Sequence, residues 1–78
     1  MTAERQELWD VEKVMEFLDV SRDYVRWIRE NHLLLMWKVG NKWRTTPPDI
    51  DDFINLTRGN DLSGEADIIT FAKRHKLI

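Results

Sequence analysis

Apolar residues recur at helical spacing in several stretches of the chain, each preceded by a residue suited to cap a helix. Val11, Val14, Met15 and Leu18, with Phe17 alongside, repeat as one face of a helix does, and Asp10 stands just before them as a candidate cap. That helix is expected to end near Asp19. Ser21 follows almost at once and predicts the cap of a second helix, because its hydroxyl can accept from the amide of Asp23 or Tyr24. In the second helix Val25, Ile28 and His32 share a face with Ser21, while Arg22, Asp23, Arg26, Trp27 and Glu30 share the other. Two helices joined by so short a link must cross steeply, which is the helix-turn-helix arrangement.

After a helix stop near Asn31 and His32, "LLLMWKV" reads as a strand, and Gly40-Asn41 supplies a tight reversal. A two-residue loop would put Val39 with Lys42 and Trp43 with Lys38 on shared faces, mixing apolar and charged groups. A three-residue loop, Gly40 to Lys42, pairs Val39 with Trp43, Trp37 with Thr45 and Lys38 with Arg44, and is the register expected here. Trp37, Val39 and Trp43 then turn inward, Lys38 and Arg44 turn outward, and Asn41 and Lys42 form the tip. "TTPPDIDDFINL" opens a third helix, with Thr46 as cap, Pro47 at the first helical position, Asp49 three residues after the cap, and Ile50, Phe53, Ile54 and Leu56 inward. "TRGND" is a break, and a fourth helix is expected from about Ser63, with acids in its first turn and Lys73, Arg74 and Lys76 in its last. Its apolar residues, Leu62, Ala66, Ile68, Ile69, Phe71 and Ala72, cover about half its circumference. Part of that surface is expected to close the core, and Ile68, Phe71 and Ala72 are candidates for contact with a second copy or another protein.

Length and composition narrow the classes. Seventy-eight residues form one domain, and a single core of that size leaves only about 3–5 kcal/mol of net stability. There is no cysteine, so neither disulfides nor thiolate ligands contribute. No apolar run approaches the ~20 residues of a membrane span, and the start "MTAERQELWD" is charged where a secretion signal is greasy, so the expected location is the cytoplasm, beside the nucleoid. The net charge is −2, but its distribution is uneven. Residues 1–19 hold six acids against two bases, residues 20–46 six bases against two acids, and residues 47–67 six acids against Arg58. The last eleven residues add Lys73, Arg74 and Lys76. The middle third is therefore a basic island between acidic flanks, a candidate footprint for a polyanion.

The stretch "WDVEKVMEFLDVSRDYVRWIRENHLLLMWKVGNKWRTTPPDIDDFI" resembles, without a gap, the excisionase and MerR-like winged-helix family. "VEKVMEFLDVS", "VGNKWR" and "PPDIDDFI" carry the resemblance in both residue type and spacing. Asp19 stands where the family usually has the glycine of the turn, and His32 where it has the glycine after the second helix; residues 57–78 lie outside the match. The resemblance implies an α+β, mostly helical fold: a winged helix-turn-helix of two helices, a β-hairpin wing and a third helix, with a C-terminal extra helix. The implied organisation is an N-terminal tail at 1–8, the DNA-binding domain at 9–56 and a helical extension at 57–78. Members bind attachment-site DNA, bend it and turn an integrase toward excision; others are small phage regulators.

Double-stranded DNA is thus the expected partner, with a tyrosine or serine integrase and further copies of the chain as candidate protein partners. On the second helix the candidate contacts are Ser21, Arg22, Asp23, Arg26, Trp27, Arg29 and Glu30, against the plainer reading of a solvated helix surface. Arg22 and Arg26 can donate to guanine edges or phosphates, and Asp23 can accept from a cytosine amine. Trp27 either touches DNA or folds against the wing, and Arg29 either meets a phosphate or pairs with an acid of the first helix. On the wing the candidates are Lys38, Asn41, Lys42 and Arg44, reaching phosphates or a minor groove. His32 and His75 are far apart, no nucleophile-base set or phosphate loop occurs, and Asp49, Asp51 and Asp52 fall on different helix faces. Neither an enzyme, a metal site nor a cofactor is expected. The rival readings are a transcriptional regulator using the same surface and a protein-interaction module acting through the fourth helix.

Overall fold

A computed structural model describes residues 7–78, so residues 1–6 of the expected N-terminal tail lie outside the described residues. The fold is α+β, with four helices and a three-stranded antiparallel sheet: β1 (Trp9–Asp10), α1 (Val11–Leu18), α2 (Arg22–Glu30), β2 (Trp37–Val39), β3 (Lys42–Thr45), α3 (Pro47–Thr57) and α4 (Glu65–Arg74).

The helices begin where capping chemistry places them. The Asp10 carboxylate accepts from the amide of Lys13 at 2.9 Å, and the Ser21 hydroxyl from that of Tyr24 at 3.2 Å. Thr46 precedes Pro47 at the start of α3, but its hydroxyl donates to the Asp49 carboxylate at 2.6 Å instead of accepting an amide. The fourth helix starts at Glu65 with Gly64 as cap, later than expected, because the Ser63 hydroxyl is engaged by Asp61.

Three helices end on a left-handed residue that is not glycine: Asp19 (φ 57°), His32 (φ 63°) and Lys76 (φ 59°). Each is followed by an amide reaching back to the carbonyl five residues earlier, from Val20 to Met15, Leu33 to Ile28 and Leu77 to Ala72. This is the Schellman closure, which satisfies carbonyls that the helix end would otherwise orphan. At His32 it has a second consequence. The amides of both Leu33 and Leu34 are taken by the Ile28 carbonyl, at 2.9 and 3.1 Å. The chain after α2 therefore turns instead of entering a ladder, and "LLLM" is not strand; Leu33, Leu34 and Met36 are buried and Leu35 is 64% exposed.

The core joins Val14 of α1, Val25 and Ile28 of α2, Leu33, Leu34 and Met36, Ile50 and Phe53 of α3, and Ile68, Phe71 and Ala72 of α4. Burial of each large side chain contributes roughly 1.5–3 kcal/mol before entropy is counted. Ile68, Phe71 and Ala72 are almost wholly covered, so α4 spends them on this chain's own core and they are not a surface for a partner. The Tyr24 hydroxyl adds a bond to the Leu62 carbonyl at 2.8 Å, tying α2 to the segment that leads into α4; burial pushes the Tyr24 pKa up.

The sheet corrects the expected hairpin register. Val39 pairs with Lys42, Lys38 with Trp43 and Trp37 with Arg44, around a two-residue Gly40-Asn41 loop. Gly40 has φ 67°, which suits the first central position of a turn whose twist matches that of paired strands. β3 is the central strand, because β1 pairs on its other side, Trp9 with Thr45 and Asp10 with Arg44. The strand β1 has no counterpart in the sequence reading. One sheet face carries Trp9, Trp43, Thr45 and Lys38; the other carries Asp10, Trp37, Val39, Lys42 and Arg44. Trp37 and Val39 are consequently outward, 39% and 40% exposed, and do not hold the hairpin to the core.

The left-handed residues carry a cost that glycine would relieve. Replacing His32, which is exposed, with glycine is expected to stabilise the fold by about 0.5–1 kcal/mol, less than the full left-handed penalty because glycine also frees the unfolded chain. The shift is a rise of a few degrees in the thermal midpoint; a fall would mean that the His32 side chain contributes a contact worth more than the strain.

Candidate nucleic-acid interface

Arg22, Arg26 and Arg29 follow one another at spacings of four and three, so they form a single stripe along α2. That stripe faces the hairpin across a groove. One part of it, about 210 Å³, is lined by Arg22, Asp23, Arg26 and Arg29 with Val11, Val25 and Trp43. The adjoining part, about 280 Å³, is lined by Asp10, Glu12, Arg22, Asn41 and Lys42. Val11, Arg22 and Trp43 line both parts, which makes them continuous.

Trp43 forms the floor. The Arg29 guanidinium lies over its ring, 4.0 Å from the centroid, and the Lys38 ammonium approaches at 5.5 Å from the centroid. Arg29 thus acts inside the molecule, but on an indole of the hairpin and not on an acid of α1; Glu30, its helix neighbour, comes to 3.9 Å. Lys38 is directed inward over Trp43, on the opposite sheet face from Lys42 and Arg44, and not outward with Arg44 as the expected register required.

The other arginines of α2, and Arg44 on the outward face of β3, also have carboxylates beside them. Arg22 pairs with Glu12, Arg26 with Asp23 at 3.2 Å and Arg44 with Asp10 at 3.7 Å. The hydrogen bond from Arg22, then that from the backbone amide and the Arg22 charge, hold the Glu12 carboxyl below its ordinary pKa. Arg22 and Arg26 remain at least half exposed, whereas Arg44 is mostly covered. Asn41 and Lys42 are exposed at the tip, as the sequence suggested, and so are Ser21 and Asp23 at the start of α2.

Two candidates lie elsewhere. Trp27 is half-buried against the core on the Tyr24 side of α2, its ring centroid 6.4 Å from that of Tyr24, and its Nε1 is buried without a partner. It is therefore neither on the arginine stripe nor packed under the hairpin. Glu30 lines a further cleft of about 400 Å³ with His32, Asp49 and Asp52, which shares Arg29 and Trp43 with the groove but not Arg22 or Arg26. Glu12 and Asp10 were absent from the sequence reading of the groove. Asp10 was legible there only as a cap, and Glu12 meets a partner ten residues away that only the docking of α1 on α2 brings near.

Among the described residues no group of three or more histidine or acidic side chains is placed to hold a metal ion, and no helix is long and apolar enough to cross a membrane. Comparison with known protein families, with curated proteins and with solved structures finds none that matches the chain.

If the stack on Trp43 fixes the hairpin, Arg29 and Trp43 are energetically coupled. A double-mutant cycle of Arg29→Gln and Trp43→Leu, read by urea unfolding, is expected to return a coupling of about 1 kcal/mol, as for a partly desolvated cation over an indole. A coupling indistinguishable from zero would show that the hairpin is held by strand pairing alone.

Proposed function

We propose that the chain is a winged helix-turn-helix protein that binds double-stranded DNA, with α2 in the major groove and the β2–β3 hairpin as the wing. The observation that supports it best is the groove between the arginine stripe of α2 and the hairpin tip. An α-helix with its side chains is about 10–12 Å across and fits a major groove about 12 Å wide, and the nine residues of α2 lie along it. Arg22 and Arg26, both exposed, donate to guanine edges or phosphates, and Asp23 accepts from a cytosine amine. Lys42 and Asn41 reach the flanking backbone. Arg29 positions the wing through Trp43 and is withdrawn from the contacts, as is Trp27.

The biological role that fits, given the resemblance of residues 9–54 to excisionases, is an architectural one in a phage or mobile element: copies bound at an attachment site bend it and turn an integrase toward excision. Bending a site of 20–30 base pairs costs of order 1–6 kcal/mol, which several bound copies would share.

Two substitutions on opposite walls of the groove test the footprint. Arg26→Ala and Lys42→Ala should each weaken duplex binding in a mobility-shift titration, and each should reduce the slope of log K against log salt by about one where a phosphate contact is lost. Unchanged affinity in both variants would exclude the groove as the binding surface.

A further inference from the structure

We infer that Glu12 and Asp10 are specificity-determining residues of the DNA surface: Glu12 occupies Arg22 with an internal carboxylate and Asp10 sets a second negative charge beside the same donors, so that phosphate alone binds the groove weakly. The inference rests on the DNA-binding reading and extends it to residues that touch no DNA.

Three observations carry it. First, the two carboxylates are fixed in place. Asp10 uses one oxygen, Oδ1, to cap α1 through the Lys13 amide and leaves the other, Oδ2, toward Arg44 Nη1. Glu12 lies in the first turn of α1, where the helix dipole favours a negative charge, and hydrogen-bonds Arg22 on the first turn of α2. Second, both acids line the same part of the groove as Arg22, Asn41 and Lys42, so an anion approaching those donors meets two negative charges. Third, the Arg22–Glu12 pair is solvent-accessible, each partner being more than 60% exposed, whereas Arg44 is mostly covered. An exposed ion pair of this kind is weak enough for a ligand to displace.

The consequence concerns selectivity. A phosphate that takes Arg22 from Glu12 exchanges one anionic partner for another and leaves a carboxylate facing the DNA backbone. A base edge correctly presented adds a directional hydrogen bond to that exchange, which a random sequence does not supply. Non-specific affinity therefore falls more than specific affinity, and the ratio between them rises.

The test uses the full chain and a fluorescein-labelled, random-sequence duplex, read by anisotropy over a series of salt concentrations. Glu12→Gln and Asp10→Asn remove the charges, and asparagine preserves the helix cap. Each should tighten binding several-fold and the double variant about tenfold, with the salt slope steepened by about one where Arg22 is released from Glu12. Glu16→Gln is the control, since it changes the net charge equally from an exposed position on the same helix that makes no ion pair among the described residues. An equal gain with Glu16→Gln, or no gain with Glu12→Gln and Asp10→Asn, overturns the inference. If there is no gain but Lys42→Ala still weakens binding, the DNA reading stands without it. If neither the native chain nor any variant binds the duplex, both fall.

Discussion

The approach of the Arg29 guanidinium to the Trp43 indole, 4.0 Å from the ring centroid, is the contact on which the geometry of the groove depends. The outer half of the hairpin has little else to hold it to the helices: Trp37, Lys38, Val39, Gly40, Asn41 and Lys42 are all exposed. Its base is secured differently, by pairing of β3 with β1 and by the buried Thr45 hydroxyl, which donates to the Leu35 carbonyl at 2.7 Å. Between base and tip only Trp43 faces α2, and it is half-buried under two cations. A planar guanidinium stacks on an indole while keeping its edge for polar groups, which an aliphatic residue could not do at the rim of a wet groove.

This arrangement also shows why summing charge by segment predicts less than it suggests. The basic island at residues 20–46 is real in sequence, yet the fold returns acids from residues 10–12 to its arginines. Of its six bases, Arg22, Arg26 and Arg44 are paired, Arg29 and Lys38 lie over Trp43, and Lys42 stands at the tip. The surface is better described as a set of arginines on removable carboxylate partners than as an open basic patch.

The four helices and their order were legible in the sequence because capping and periodicity are local: Asp10, Ser21 and Pro47 announce helix starts within a few residues of the atoms they serve. The hairpin register was not, because the parity argument assumed that apolar side chains choose the inward face. Here Trp43 lies under the charged heads of Arg29 and Lys38, so the inward face accommodates Lys38 and the outward face keeps Trp37 and Val39. The segment Leu33–Met36 misled for a different reason. Its apolar run suits a strand, but the left-handed His32 spends two of its amides on the end of α2. The strand β1 is only two residues long and exists through pairing with β3, about 35 residues further along the chain, which no local pattern can report.

Asp10 serves the sheet, a helix and the surface at once. Its backbone ends β1 beside Arg44 of β3, one carboxylate oxygen caps α1, and the other stands 3.7 Å from the Arg44 guanidinium. The three roles separate chemically, since capping needs an acceptor oxygen whereas the Arg44 interaction needs a negative charge. Sequence pattern reveals the capping role because it is satisfied within three residues. The other two depend on β3 arriving alongside, where buried Thr45 pairs with Trp9 in the same short ladder. The ladder between β1 and β3 therefore sets both the fold at the sheet and the acids that stand beside the groove.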